Sequence, residues 1–308
     1  MAEIEKSNAR AMHIALRKLR TFLDASEPRL VYFLTNLWHA QGRAITYKEL
    51  REAILAGLLD AAYLEQWHED YARFVVQYLQ PAWEEAMKAA AAEIAAKHPE
   101  WTYKPAAEGV EHWMRTRAAD FVTNVSQTQI DGLRALITKA STLHDMSVDE
   151  LSRAIRPMVG LTLQQSEAAM NYFTKLRENG VKPERAKDLT IRYSARMHRY
   201  RGYNIARTEL AFGYNKGMLE ATKQAQEEGY LGKMVKVWCT ADDERVCHIC
   251  GGLEGKTIAM DEDFDFKTKL EAANPGIKQT PPAHPSCRCT VLYQEVERPT
   301  QMTPAKRH

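Results

Sequence analysis

The chemistry most easily read from this sequence sits in its cysteines, and they are not scattered. All five, Cys239, Cys247, Cys250, Cys287 and Cys289, fall in the last quarter of the 308 residues. Incidental thiols would spread along the chain, so something local uses these. Cys247-His248-Ile249-Cys250 places two thiols at the two-residue gap that lets both sulfurs of a tight turn reach one tetrahedral ion. A second half-site is His284-Pro285-Ser286-Cys287-Arg288-Cys289. There His284 and Cys287 are three apart in a turn, and Cys287 and Cys289 are two apart, on the same side of an extended strand. Cys247, Cys250, His284, Cys287 and Cys289 therefore offer five donors for the four positions of a zinc ion, and spacing leaves the choice of four open. Cys239 lies outside both halves, on an expected strand, and reads as a buried apolar residue.

A reducing cytosol favours a metal over a disulfide framework for such a cluster; disulfides formed after release and plain buried thiols are the competing readings. The expected role is structural. A small unit with short strands and a long proline-rich loop buries little apolar surface, and a zinc ion supplies on the order of 10 kcal/mol of folding energy. As a thioredoxin-like pair, Cys247 and Cys250 should open a helix, which Gly251-Gly252 disfavours. As a zinc hydrolase or nuclease, the site would keep an open metal position beside a general base, with Asp242, Asp243, Glu244 and His248 as candidates. The plainer reading of residues 240–245 is a polar turn after a strand. No catalytic residue is assigned, and the chain is read as not an enzyme.

A second candidate lies upstream. Arg185, Arg192, Arg196 and Arg199 recur at spacings of seven, four and three, which puts them on one face of a helix, with Tyr193, Tyr200 and Tyr203 interleaved. Such a stripe can hold the phosphates of double-stranded DNA and add aromatic contacts; a solvated or protein-facing surface is the plainer alternative. Another face of the same helix carries Ala195, Gly202, Ala206, Gly213, Gly217 and Ala221. A mid-helix glycine costs about 1 kcal/mol relative to alanine, so this face needs a packing reason, the close approach of another helix. Arg207, Thr208 and Glu209 fall near it and read as a structural motif.

The elements that position these residues are mostly helical, from Ala11 to about Leu231. Thr46–Glu49, Ser147–Glu150 and Thr162–Gln165 have the form of capping boxes. Residues 83–96 are rich in strong helix formers until His98-Pro99 stops them. Asn179-Gly180 reads as a helix stop, and Pro183 as the first turn of the longest helix, which should run to about Glu228 and end at Gly229. After Gly232 the texture changes. Residues 234–240, 257–260 and 290–296 read as short strands, separated by the Asn274-Pro275-Gly276 turn and the loop Pro281-Pro282-Ala283-His284-Pro285. The fold class is mainly α: a helical N-terminal and central body closed by a small, loop-rich, zinc-stabilised α+β domain. The expected divisions are a helical region 1–108, a helical region 109–232 ending in the long helix, a Cys/His-rich domain 233–298 and a flexible tail 299–308.

Bulk properties exclude little. Hydrophobic residues at 45% and charged residues at 27% suit an ordinary soluble globular chain, and a formal charge of +2 gives no global pull toward nucleic acid or membrane. The charged N-terminus lacks a signal-peptide core, and no stretch reaches the 18 or so apolar residues of a membrane span. A protein made in the cytosol and remaining soluble is expected, with no membrane partner.

Several segments together resemble the Mu F-like phage head-morphogenesis, or minor head protein, family. Ile205-Ala206-Arg207-Thr208-Glu209 with Asn215 and Gly217 resembles its "ARTE, then N-x-G" stretch. Ser147 to Gly160 followed by Leu161-Thr162 resembles its "S-x-x-E-L … I … G-L-T" stretch. The most specific part is the series from Asp243 through Cys250, then Leu253-Glu254-Gly255-Lys256, then Pro281 through Cys289. The resemblance covers roughly residues 110–295. It implies a low-copy virion component that joins the procapsid near the portal in the host cytoplasm, contacts portal protein and major capsid or scaffold protein, and assists packaging or ejection of double-stranded DNA. Related C-terminal regions are fused to toxin or transferase domains; the stretch after Arg298 is too short for one, which lowers the enzyme reading. The competing function is a zinc-dependent nuclease or other hydrolase delivered with the phage genome.

Overall fold

The computed structural model describes residues 2–59, 61–241, 243–267 and 278–297. Asp242, the Asn274-Pro275-Gly276 turn and the tail 299–308 lie outside the described residues. The chain is mainly helical, with a small antiparallel sheet near its end. In chain order the helices are α1 (Ala2–Ala44), α2 (Tyr47–Ala56), α3 (Ala61–Phe74), a π-helical turn (Val75–Leu79), α4 (Gln80–Ala95), α5 (Glu108–Ser141), α6 (Val148–Ile155), α7 (Leu163–Glu178) and α8 (Pro183–Glu227). Then follow β1 (Lys233–Cys239), the one-turn helix α9 (His248–Gly251), β2 (Thr257–Ala259) and β3 (Thr290–Glu297).

The boundaries follow local chemistry. Thr46 and Thr162 form reciprocal capping boxes with Glu49 and Gln165, whereas Ser147 accepts the Glu150 amide alone. Gly180, with φ +78°, turns the chain out of α7, and Pro183 opens α8 where its missing amide is not needed. At 45 residues α8 is the longest helix. One feature was not legible beforehand: α1 continues through Pro28, which forgoes one ladder hydrogen bond.

Contacts divide the chain into two compact units, each assembled from separated stretches. One comprises residues 29–78 and 118–204, the other 1–28, 79–117 and 205–308. Each unit takes parts of α1, α5 and α8.

The unit of residues 29–78 and 118–204 is built on a large apolar core. Leu50, Trp67, Leu136, Ile155, Met170 and Phe173 are among its buried members. A hydrogen-bonded chain lies beside it: Trp38 Nε1 donates to Tyr71 Oη at 2.7 Å, Tyr71 to Gln129, and Gln129 Nε2 to Gln41 Oε1 at 3.0 Å. Buried Arg201 has no carboxylate among its described partners. It donates to the carbonyls of Gly160 and Val125 and to Thr128 Oγ1, the last at 2.8 Å. Charge-assisted bonds of this kind offset part of the desolvation of a guanidinium.

In the other unit, the small-residue face of α8 meets α4. A Cβ on Gly213 would lie 3.2 Å from Trp83 Cα, and one on Gly217 would lie 2.3 Å from Met87 Cα, closer than atoms can pack. That is the close helix approach the glycines require. The sheet has strand order β2-β1-β3, all antiparallel, with Val237 opposite Thr257 on one side and Leu292 on the other. Its core holds Trp238, Leu253, Phe264, Phe266 and Val291 together with Cys250, Cys287 and Cys289.

Candidate metal centre

The two half-sites read from the sequence converge. Cys247 N-caps α9, accepting the Cys250 amide on its sulfur at 3.4 Å. The Cys-x-x-Cys pair thus opens a helical turn, against the expectation drawn from Gly251-Gly252. The turn is four residues long and stops at Gly252, so the glycines end the helix rather than prevent it. The second half-site lies in the loop entering β3, where the Cys287 amide donates to the His284 carbonyl at 3.1 Å.

His284 Nε2 lies 3.2 Å from Cys247 Sγ and 3.4 Å from Cys250 Sγ, and Cys250 Sγ lies 3.7 Å from Cys287 Sγ. Cys247, Cys250 and His284 form one group of donors within 4.8 Å of one another, and Cys250, Cys287 and Cys289 form another; Cys250 belongs to both. A tetrahedral zinc with sulfur ligands at about 2.3 Å and nitrogen at about 2.05 Å sets its ligands about 3.6–3.8 Å apart. The observed separations lie close to those edges, slightly short on the imidazole side. His284 Nδ1 sits 2.9 Å from the Pro285 carbonyl, an acceptor, so Nδ1 donates there and Nε2 is the ring atom that faces the sulfurs. Donor set, spacing and ring orientation fit a four-coordinate metal.

The electrostatics agree that these groups are poised against one another. The Cys250 thiol is pushed up, first by Cys287 and Cys289 beside it, while Cys287 is drawn down, chiefly by the Cys250 hydrogen bond. His284 rises to about 9, led by its hydrogen bond with Cys287. Burial raises Cys247, but the amide and thiol of Cys250 outweigh it and bring the group below its ordinary value. Cys239 is apart from both groups, buried, with its thiol donating to the Val237 carbonyl at 3.4 Å. Burial lifts it to about 12, the behaviour of a buried apolar residue.

Sequence reasoning missed the clasp that joins the two halves. Arg288, between Cys287 and Cys289, donates through both terminal nitrogens to Asp243, at 2.5 and 2.6 Å. Asp243 also accepts the Arg245 amide at 3.0 Å. The Arg288 guanidinium holds the Asp243 carboxyl well below the usual carboxylate range. As a candidate general base Asp243 is therefore already engaged, as a structural brace across the loops; Glu244 and His248 are exposed. The signal was present as an acid just before the first pair and an arginine inside the second.

The Arg-Thr-Glu motif of α8 ties three elements together. Arg207 forks onto Glu27 of α1 at 2.7 and 3.0 Å, and Glu209 accepts from Arg117 of α5, at 2.9 Å for Nε. Thr208 Oγ1 accepts the Ser286 amide at 2.9 Å. Farther along α8, Asn215 Oδ1 accepts the Thr290 hydroxyl at 2.8 Å.

Arg185, Arg192, Arg196 and Arg199 all lie on exposed positions of α8. Arg196 sits 5.6 Å over the Tyr193 ring, and Tyr200 and Tyr203 are exposed beside the stripe. Among the described residues none of the four arginines forms an ion pair; Asp188 shares their arc of the helix. No helix among the described residues is long and apolar enough to cross a membrane.

Fold and donors define a mainly helical protein bearing a compact thiol and imidazole cluster of metal-site dimensions. Over residues 147–292 the chain matches the family model described as Phage Mu protein F like protein, which bears out the resemblance read from the sequence. The match supports a phage head-morphogenesis or structural protein. No curated protein and no solved structure matches the chain.

Proposed function

We propose that the protein is a structural minor component of a phage head, acting near the portal, in which a zinc ion clamps the C-terminal module and α8 presents arginines to packaged DNA. The observation that carries the clamp is the convergence of His284 on Cys247 and Cys250, with Cys287 Sγ 3.7 Å from Cys250 Sγ. Zinc supplies no reaction in this reading; it crosslinks two loops. The Asp243–Arg288 fork supports this reading over a hydrolase, because Asp243, a candidate general base, is committed to bracing the second half-site.

The family match over residues 147–292 supports a virion role, with portal and capsid or scaffold proteins as partners. Purified phage particles should contain the chain at low copy, and infection with a phage lacking its gene should yield particles defective in packaging or ejection. Absence from purified virions would overturn the reading. For the arginine stripe, the observation is three unpaired, outward guanidinium groups within two helical turns, flanked by exposed tyrosines. Replacing Arg192, Arg196 and Arg199 with Gln should weaken binding of duplex DNA and flatten its salt dependence by up to about three counterions. Unchanged binding and slope would remove DNA from the proposal.

A further inference from the structure

Resting on the metal clamp just described, we infer that Thr208 and Asn215 of α8 are positioning residues for the metal centre. They hold the ligand-bearing segment from Ser286 to Thr290 at two points. They are seven residues apart, hence on one face of the helix and about 10 Å apart along it. Both are buried. Thr208 takes the amide of Ser286, which stands between His284 and Cys287; Asn215 takes the hydroxyl of Thr290, which follows Cys289.

Two anchors do what one cannot, since they fix the direction of the segment as well as its place. Ser286 adopts φ +58°, a left-handed conformation rarely taken by a residue with a side chain, and its amide donates to Thr208 Oγ1. That bond selects the backbone path that brings His284 and Cys287 round to the first pair. Asn215 is itself oriented, its Nδ2 donating to the Ala211 carbonyl at 3.0 Å, which leaves Oδ1 for Thr290. The helix is rigid where the anchors sit: Arg207 and Glu209, the neighbours of Thr208, are forked onto α1 and α5. A metal site tolerates ligand displacements of only about 0.2 Å, so a loop with little core of its own needs such external support.

The test uses the full chain loaded with zinc. Zinc dissociation into excess 4-(2-pyridylazo)resorcinol is timed for wild type, Thr208→Val, Thr208→Ser, Asn215→Leu and Thr290→Val, and thermal melts of the metal-free proteins are recorded alongside. Thr208→Val, Asn215→Leu and Thr290→Val should release zinc roughly 10- to 100-fold faster, the range expected for lost support around a metal ligand. Thr208→Ser, which keeps the acceptor oxygen, should release it at close to the wild-type rate, and the metal-free melts should coincide. Unchanged release in the three variants, or faster release fully accounted for by lower metal-free melting points, overturns the inference while leaving the clamp intact. A wild-type protein that takes up no zinc overturns the clamp itself, before any variant is compared.

Discussion

The unit of residues 29–78 and 118–204 and the Cys/His module around β1, β2 and β3 have interiors of different chemistry. The first is filled by aliphatic and aromatic side chains such as Leu136, Ile155, Met170 and Phe173. The module's interior has a few large residues, Trp238, Phe264 and Phe266, and alongside them Cys250, Cys287 and Cys289. An apolar core is ordered by surface withdrawn from water, with a gain spread over many residues. A core of converged donors gains its order from one event, the binding of an ion. With the proposed zinc in place, two parts of one chain should fail in different ways: one by degrees, the other all at once on loss of the ion.

The sharpest break of that contrast is Cys250→Ala. Cys250 belongs to both donor groups, so its loss should abolish zinc retention and remove binding energy on the order of 10 kcal/mol from the module. Amide exchange should rise across β1 and β3 and stay protected in α7. Loss of protection in α7 as well would show that the two interiors are not separately held.

The converse change is Phe173→Ala in the apolar core, where Phe173 is fully buried. It should lower unfolding free energy by about 3–5 kcal/mol in denaturant titration while zinc content stays the same. Zinc loss in that variant would sink the separation.

The smallest effect is a pH dependence in the same unit. Burial, followed by the nearby charge of His39, pushes the His198 imidazole down to about 3, and Nε2 lies 2.9 Å from the Val159 carbonyl as the donor of a neutral ring. The unfolded chain then binds the proton more readily than the folded one. This contribution is complete above about pH 6.5 and is lost as pH falls from there toward 3. Between pH 7 and pH 5 the unit should lose about 2 kcal/mol, read from exchange in α7, and His198→Gln should flatten the loss. An unchanged profile in that variant would place the acid sensitivity elsewhere.

Much of this architecture could be read in advance because it is written locally. Thr46, Thr162, Gly180, Pro183 and Gly229 mark helix ends through their own backbone preferences, and the alternation after Gly232 marks the strands. That the five cysteine and histidine donors would cluster could be read for the same reason, since their side-chain types recur at particular spacings. Other features depend on partners distant in sequence. An acid before the first pair and an arginine inside the second do not by themselves say that Asp243 and Arg288 meet, and nothing near Thr208 announces Ser286. The interleaving of residues 1–28, 79–117 and 205–308 in one compact unit is likewise set by which helices meet. Pro28 marks a helix break by propensity, yet α1 runs through it because tertiary packing outweighs one missing hydrogen bond.

The clamp is tested most directly by counting metal in the purified chain with elemental mass spectrometry, together with thiol titration before and after chelation. One zinc per chain is expected, with the ligand cysteines shielded until the chelator is added and reactive afterwards. A metal-free chain whose Cys247, Cys250 and Cys287 react at once would contradict it.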